Sequence, residues 1–78
     1  MKACELRSFK REAVIGSPVR FGVYFDDYRN NSLFINTHEG QLISEWLVAN
    51  SAGYYLVASS HVLFESVDDA TLCLIAFS

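Results

Sequence analysis

The segment Val19-Arg20-Phe21-Gly22-Val23-Tyr24-Phe25-Asp26 decides the fold class. Val19, Phe21, Val23 and Phe25 alternate with Arg20, Gly22, Tyr24 and Asp26, which is the two-residue period of a strand with one face on a core and the other partly wet. Gly16-Ser17-Pro18 precedes it as a turn, and Asp26-Asp27-Tyr28-Arg29-Asn30-Asn31 follows it as a dense run of turn formers. Ser32 to Asn36 then reads as a short hairpin partner. Upstream, Cys4, Leu6 and Ser8 alternate with Glu5, Arg7 and Phe9, a weaker strand pattern inside an otherwise ambiguous stretch over residues 1–17.

Downstream the period changes. Thr37 to Asn50 reads as a helix, with Asn36 or Thr37 as its cap and Leu42, Ile43, Trp46, Leu47 and Ala49 as an apolar stripe at spacings of three and four. Gly53, after Asn50-Ser51-Ala52, suits a left-handed cap. Tyr54 to Ala58 and His61 to Glu65 are two further short strands. Ser66, with Asp69 three residues on, signals a helical turn. The apolar run Ala70 to Phe77 fits a continued helix or a strand; the strand, after one helical turn, is the preferred reading and puts Cys73, Ile75 and Phe77 on one face. The whole is expected to be a single α+β domain over residues 1–78. It would hold a mostly antiparallel sheet of four to five strands, one main helix packed on one face, and a short second helical turn.

Composition sets the class. Among 78 residues, 51% are hydrophobic and eleven are aromatic (one Trp, four Tyr and six Phe), enough for a packed core and too much for a disordered chain. The N-terminus shows no leader pattern, and the longest charge-free stretch, Trp46 to Phe64, holds too many polar residues for a bilayer span. A cytoplasmic location without membrane contact is therefore expected. Two cysteines, Cys4 and Cys73, are expected to be free and packed as small apolar groups.

Charge is unevenly placed. Lys2, Arg7, Lys10, Arg11, Arg20 and Arg29 are all the cations, whereas Asn30 to Ser78 carries Glu39, Glu45, Glu65, Asp68 and Asp69 and no Lys or Arg, within a net charge of −3. A cation-free half repels nucleic acid and attracts basic surfaces, although a short chain reaches such an imbalance by chance as readily.

Chemical motifs are missing: no phosphate loop, no Gly-x-Ser-x-Gly, no paired cysteines and no His-Glu-x-x-His. Cys4, Cys73, His38 and His61 could supply zinc ligands, but none are closely paired, so no metal or other cofactor is expected. Cys73 lies between two leucines far from any cation, which favours a buried thiol over a nucleophile. In Ser59-Ser60-His61, strand alternation would point Ser60 and His61 to opposite faces. Arg7, Phe9, Lys10, Arg11 and Arg20 form a small basic and aromatic group, but a pI near 5.1 argues against direct nucleic-acid binding. No catalytic residue is expected.

A protein-binding surface remains. Tyr24, Tyr28 and Tyr55 suit anchors, since tyrosine is rigid and half polar. Asp26, Asp27, Glu65, Asp68 and Asp69 would add charge complementary to a basic partner. The same residues also fit the edge of a core and a solvated rim.

The segment His61-Val62-Leu63-Phe64-Glu65-Ser66-Val67-Asp68-Asp69-Ala70-Thr71-Leu72-Cys73-Leu74-Ile75-Ala76-Phe77 resembles the tail of some small phage-encoded orphan proteins. The general profile, under 100 residues, acidic, α+β and without a catalytic motif, is similar to that of anti-CRISPR proteins. That similarity is one of type, because those proteins share no common sequence. It implies inhibition by occlusion, in the bacterial cytoplasm, of a host CRISPR-Cas or other nucleic-acid-handling complex at a basic site. The net charge of −3 departs from the strongly acidic nucleic-acid mimics. The alternative is a homodimeric structural or regulatory module that self-associates through Trp46 or the aromatic sheet face.

Overall fold

The computed structural model describes residues 2–26, 38–58 and 60–78. Four strands and two helices follow in the order β1 (Ala3–Ser8), β2 (Phe21–Phe25), α1 (His38–Asn50), β3 (Tyr55–Val57), β4 (His61–Phe64) and α2 (Val67–Ala76). The strands form one sheet in the order β1-β2-β4-β3, with every neighbouring pair antiparallel. The α+β architecture is thus as expected. The strand expected over Ser32 to Asn36, the cap at Asn36 or Thr37, and residues Asp27 and Tyr28 lie outside the described residues.

Alternation places the core. Val23 and Phe25 of β2 and Val62 and Phe64 of β4 point to the helical side and are buried with Ile43 and Leu47 of α1 and Ala70 and Cys73 of α2. Each fully buried side chain of this size contributes about 1.5–3 kcal/mol. Phe77 closes one end, edge-on to Phe25 at 6.1 Å and to Trp46 at 5.6 Å between ring centroids. The Ala3 amide donates to the Phe77 carbonyl at 2.8 Å, tying β1 to the end of α2.

Three local expectations are corrected. First, the run from Ala70 is helix, which ends at Ala76 with Phe77 as its C-cap. Ser66 caps it by accepting from the Asp69 amide at 3.4 Å, and Asp68 and Asp69 occupy its first turn, where negative charge is favoured. A helix turns Cys73 into the core and Ile75 out into water, so the two do not share a face. This second helix runs for ten residues and lies against β1, β2 and β4. Secondly, β1 carries a bulge between Ala3 and Glu5. The extra residue resets the alternation, so Ala3 is buried while Cys4 is exposed. Thirdly, Gly16, at φ 83°, is the described glycine with a left-handed backbone; Gly53 is not. Gly16 lies in a turn closed by the Ser17 amide on the Val14 carbonyl at 3.1 Å, which calls for positive φ at its third residue.

Candidate functional site

The helices cover one side of the sheet, and the other side is built row by row from cross-strand partners. Tyr24 pairs with Glu5 of β1 and with His61 of β4, and the Ala58 amide donates to the His61 carbonyl at 2.8 Å. Glu5, Tyr24, His61 and Ala58 therefore form one row on the open face. Arg7, Gly22, Leu63 and Leu56 form the next. The Tyr24 and His61 rings stack at 4.5 Å with an interplanar angle of 21°, and the Arg7 guanidinium lies 4.7 Å from the Tyr24 centroid. Arg7 is also bound to Glu5 at 2.8 Å, which holds the Glu5 carboxyl below its ordinary pKa and the Arg7 guanidinium above.

Gly22 is required by this crowding. A Cβ there would sit 2.9 Å from Tyr24 Cε1, 3.3 Å from Leu63 Cδ2 and 3.4 Å from Phe9 Cε2. The chain after β1 continues along β2, with the Phe9 amide on the Arg20 carbonyl and the Ala13 amide on the Val19 carbonyl, both at 2.8 Å. Residues 9–14 then stand beside the open face. Between them and Tyr24, Ala58, His61 and Leu63 lies a cleft of about 550 Å³, with Phe9, Lys10 and Arg11 on its loop wall.

His61 is half-buried, and its pKa is lowered first by that burial and then by the Arg7 charge. Ser60 Oγ lies 3.3 Å from His61 Nδ1. The expected separation of these two side chains fails because β4 begins at His61, so Ser60 stands before the strand and escapes its alternation. Among the described residues no carboxylate hydrogen-bonds the ring, so the pair lacks the acid that orients a serine-histidine relay. Burial pushes the Cys73 thiol up to about 12. The exposed Cys4 is raised too, by partial shielding and by Asp26, and donates to the Tyr24 carbonyl at 3.4 Å. No group of three or more His, Cys, Asp or Glu among the described residues is placed to hold a metal.

Of the acidic residues singled out in the sequence, Asp27 lies outside the described residues, Glu65 and Asp69 meet on the 52–54 loop, and Asp26 stands apart from them. Asp26 follows the end of β2, and its amide donates to the Lys2 carbonyl at 3.1 Å. Glu65 follows the end of β4, which runs the opposite way with Phe21 against Phe64. The two are therefore at opposite ends of the sheet, roughly 20 Å apart along six residue steps of strand. Asp69 is 4% exposed and faces inward. Its carboxylate accepts from the Gly53 amide at 2.8 Å and from the Ala52 amide at 3.1 and 3.2 Å, so it holds the 52–53 loop to α2. Glu65 Oε1 supports the same loop by accepting from the Tyr54 amide at 3.4 Å. Asp68, unlike Glu65 and Asp69, is an exposed carboxylate without such a tie. Tyr24 and Tyr55 part company as well. Tyr24 is on the open face, whereas Tyr55 packs from the helical side against Phe64 at 6.5 Å.

A different surface emerges on α2. Its inward side is Ala70, Cys73 and Leu74, continued by the C-cap Phe77; its outward side, at spacings of three and four, is Asp68, Thr71, Leu72 and Ile75. Leu72 is 51% and Ile75 65% exposed, and Val67 of α2 and Val48 of α1 are exposed as well. The helical layer comes wholly from the stretch without Lys or Arg. Signals for both surfaces were present in the chain: the apolar run after Ser66, and the small Gly22 among aromatic neighbours in β2.

The chain matches no protein-family model, no curated protein and no solved structure. None of the described helices is long and apolar enough to cross a membrane.

Proposed function

We propose that this chain is a protein-binding module that docks the outer face of α2 onto a partner surface of mixed apolar and basic character. The observation that carries this reading is that α2, apolar on its inward side, also holds Leu72 and Ile75 out in water on its other side. Two large aliphatic side chains exposed one turn apart on a helix are a patch that a partner can cover. Covering the exposed parts of Leu72 and Ile75 would supply roughly 1–2 kcal/mol each. Asp68 beside them, on a helix drawn from the stretch without Lys or Arg, favours a basic partner over a neutral one. The same absence disfavours self-association, since two copies joined through α2 would set Asp68 residues near one another with no Lys or Arg between them. The likeness in type to anti-CRISPR proteins makes a bacterial nucleic-acid-handling complex the partner class of first choice, with the chain covering a basic site as an inhibitor.

The test is capture of partners from bacterial extract on the immobilised full chain, beside a Leu72→Lys/Ile75→Lys variant with unchanged circular dichroism. The natural chain should retain a partner that the variant loses, with retention falling as salt rises. Equal capture by both would remove α2 as the docking face. Sedimentation of the natural chain checks the alternative, because a dimer broken by the same substitutions would make the partner a second copy.

A further inference from the structure

The open-face cleft is separate from α2 and has its own chemistry. Its sheet wall is a ladder of planar groups, Arg7 over Tyr24 and Tyr24 against His61. The next position in that row is Ala58, whose methyl group leaves the space beyond the imidazole unfilled by a cross-strand neighbour. Leu63 gives this space an apolar floor, and Phe9 and Val14 close it from the loop side. Lys10 and Arg11 line the same wall, are exposed, and make no ion pair among the described residues. Glu12 is the one carboxylate among the lining residues. A volume of about 550 Å³ falls within the ordinary range of small-molecule sites.

We infer that this cleft binds a free nucleoside monophosphate, its base stacked on His61 above Ala58 and its phosphate met by Lys10 and Arg11. An aromatic platform suits any flat ring. Two unpaired cations at its rim demand an anion on that ring's substituent. A neutral aromatic would leave the cations idle, and a bare anion would leave the stacking slot empty.

Adenosine 5′-monophosphate, adenosine and inorganic phosphate are the probes, titrated into the full chain at low salt and followed by amide and imidazole NMR shifts. The monophosphate should saturate with shifts at Ala58, His61, Lys10 and Arg11, and should bind about tenfold or more tighter than either fragment. Bound phosphate should raise the His61 pKa from its lowered value, whereas a purely apolar contact would bury the ring further and lower it. Lys10→Ala/Arg11→Ala, on an exposed loop, should reduce the monophosphate to the affinity of adenosine and leave adenosine unchanged. Ala58→Leu should block both. If Ala58→Leu does not fold, the loop variant decides alone. Phosphate binding as tightly as the monophosphate, tighter binding of a short oligodeoxyadenylate, or no saturation by about 10 mM would each overturn the assignment. Because Leu72→Lys/Ile75→Lys leaves the cleft intact, failure here and failure of the α2 reading are separable.

Discussion

Replacing Asp69 with alanine should destabilise the domain far more than replacing its neighbour Asp68, although the two are adjacent carboxylates in one helical turn. Asp69 is 4% exposed, and its carboxylate accepts from two loop amides, the shortest contact being 2.8 Å from Gly53. A hydrogen bond to a charged group is worth about 1.5–3 kcal/mol, and a buried donor left without a partner costs about 1–3 kcal/mol. Gly53 is half-buried and Ala52 exposed, so water can recover most of the second bond but little of the first. Loss of negative charge at the N-terminus of α2 adds about 0.3–1 kcal/mol. Removing a largely desolvated carboxylate gives some of this back. The net expectation is roughly 3 kcal/mol for Asp69→Ala, against a total stability of about 4–12 kcal/mol for a chain of this length. In a domain of this size that lowers the melting temperature by roughly 12–24 °C. Asp69→Asn keeps one acceptor but turns an NH2 group towards an amide donor, and should fall between. Asp68→Ala, which loses only the helix-end charge, should stay within about 1 kcal/mol of the natural chain. Urea unfolding read by Trp46 fluorescence measures all three. An Asp69→Ala midpoint indistinguishable from that of Asp68→Ala would mean the loop is not held by this carboxylate.

The two thiols should differ sharply in the native state. Cys73 is fully buried with its pKa pushed up to about 12, and Cys4 is exposed, so a thiol reagent at mildly alkaline pH should modify one cysteine per folded chain and the second only on unfolding. Cys4→Ser should abolish the native reaction; two equivalents without denaturant would contradict the burial of Cys73. That reaction should also be slower than with free cysteine, because shielding and Asp26 raise the Cys4 pKa. The folded state disfavours protonated His61, whose pKa is lowered from 6.5. In the window below about 6.5 the unfolded chain therefore binds more protons, so this contribution is complete above that pH and is lost as pH falls through it. Urea midpoints should drop on the acid side less in His61→Gln than in the natural chain, and a parallel fall in both would exclude His61 as the cause.

Where a face is wet on one side and apolar on the other, the chain announces itself. The strict alternation of β2 and the short runs of β3 and β4 were legible for that reason, as was α1 through Ile43 and Leu47. Leu42 and Ala49, read as part of the α1 stripe, are exposed, because the stripe that meets this small sheet is narrower than the apolar pattern. Ala70 to Phe77 was ambiguous for the opposite reason: a nearly continuous apolar run has no period to read. The Ser66 cap and the two aspartates carried the decision, and their influence extends through ten residues rather than one turn. The bulge at Cys4 and the inward turn of Asp69 towards residues 52 and 53 depend on partners distant in sequence. No local pattern displays them. The cleft was hidden likewise, because Phe9, Lys10 and Arg11 reach Tyr24 and His61 only after β1 and β2 have paired.

Topology turns the uneven charge of the sequence into a difference between layers. The cations of the first third enter through β1, the loop after it and the start of β2, at one edge of the sheet and beside its open face. Both helices come from the stretch from Asn30 onward, which has no Lys or Arg, and lie on the other side. The sheet between them is held by Val23, Phe25, Val62 and Phe64, none of which carries charge. A net charge of −3 thus conceals two surfaces of opposite preference. Over distances near the Debye length, about 8–10 Å at moderate salt, an approaching anion feels the loop cations and a basic partner feels the helical acids. Rising salt should weaken both encounters, but for contrary reasons. Charge reversal at Lys10 and Arg11 should alter only the first, and charge reversal at Asp68 only the second.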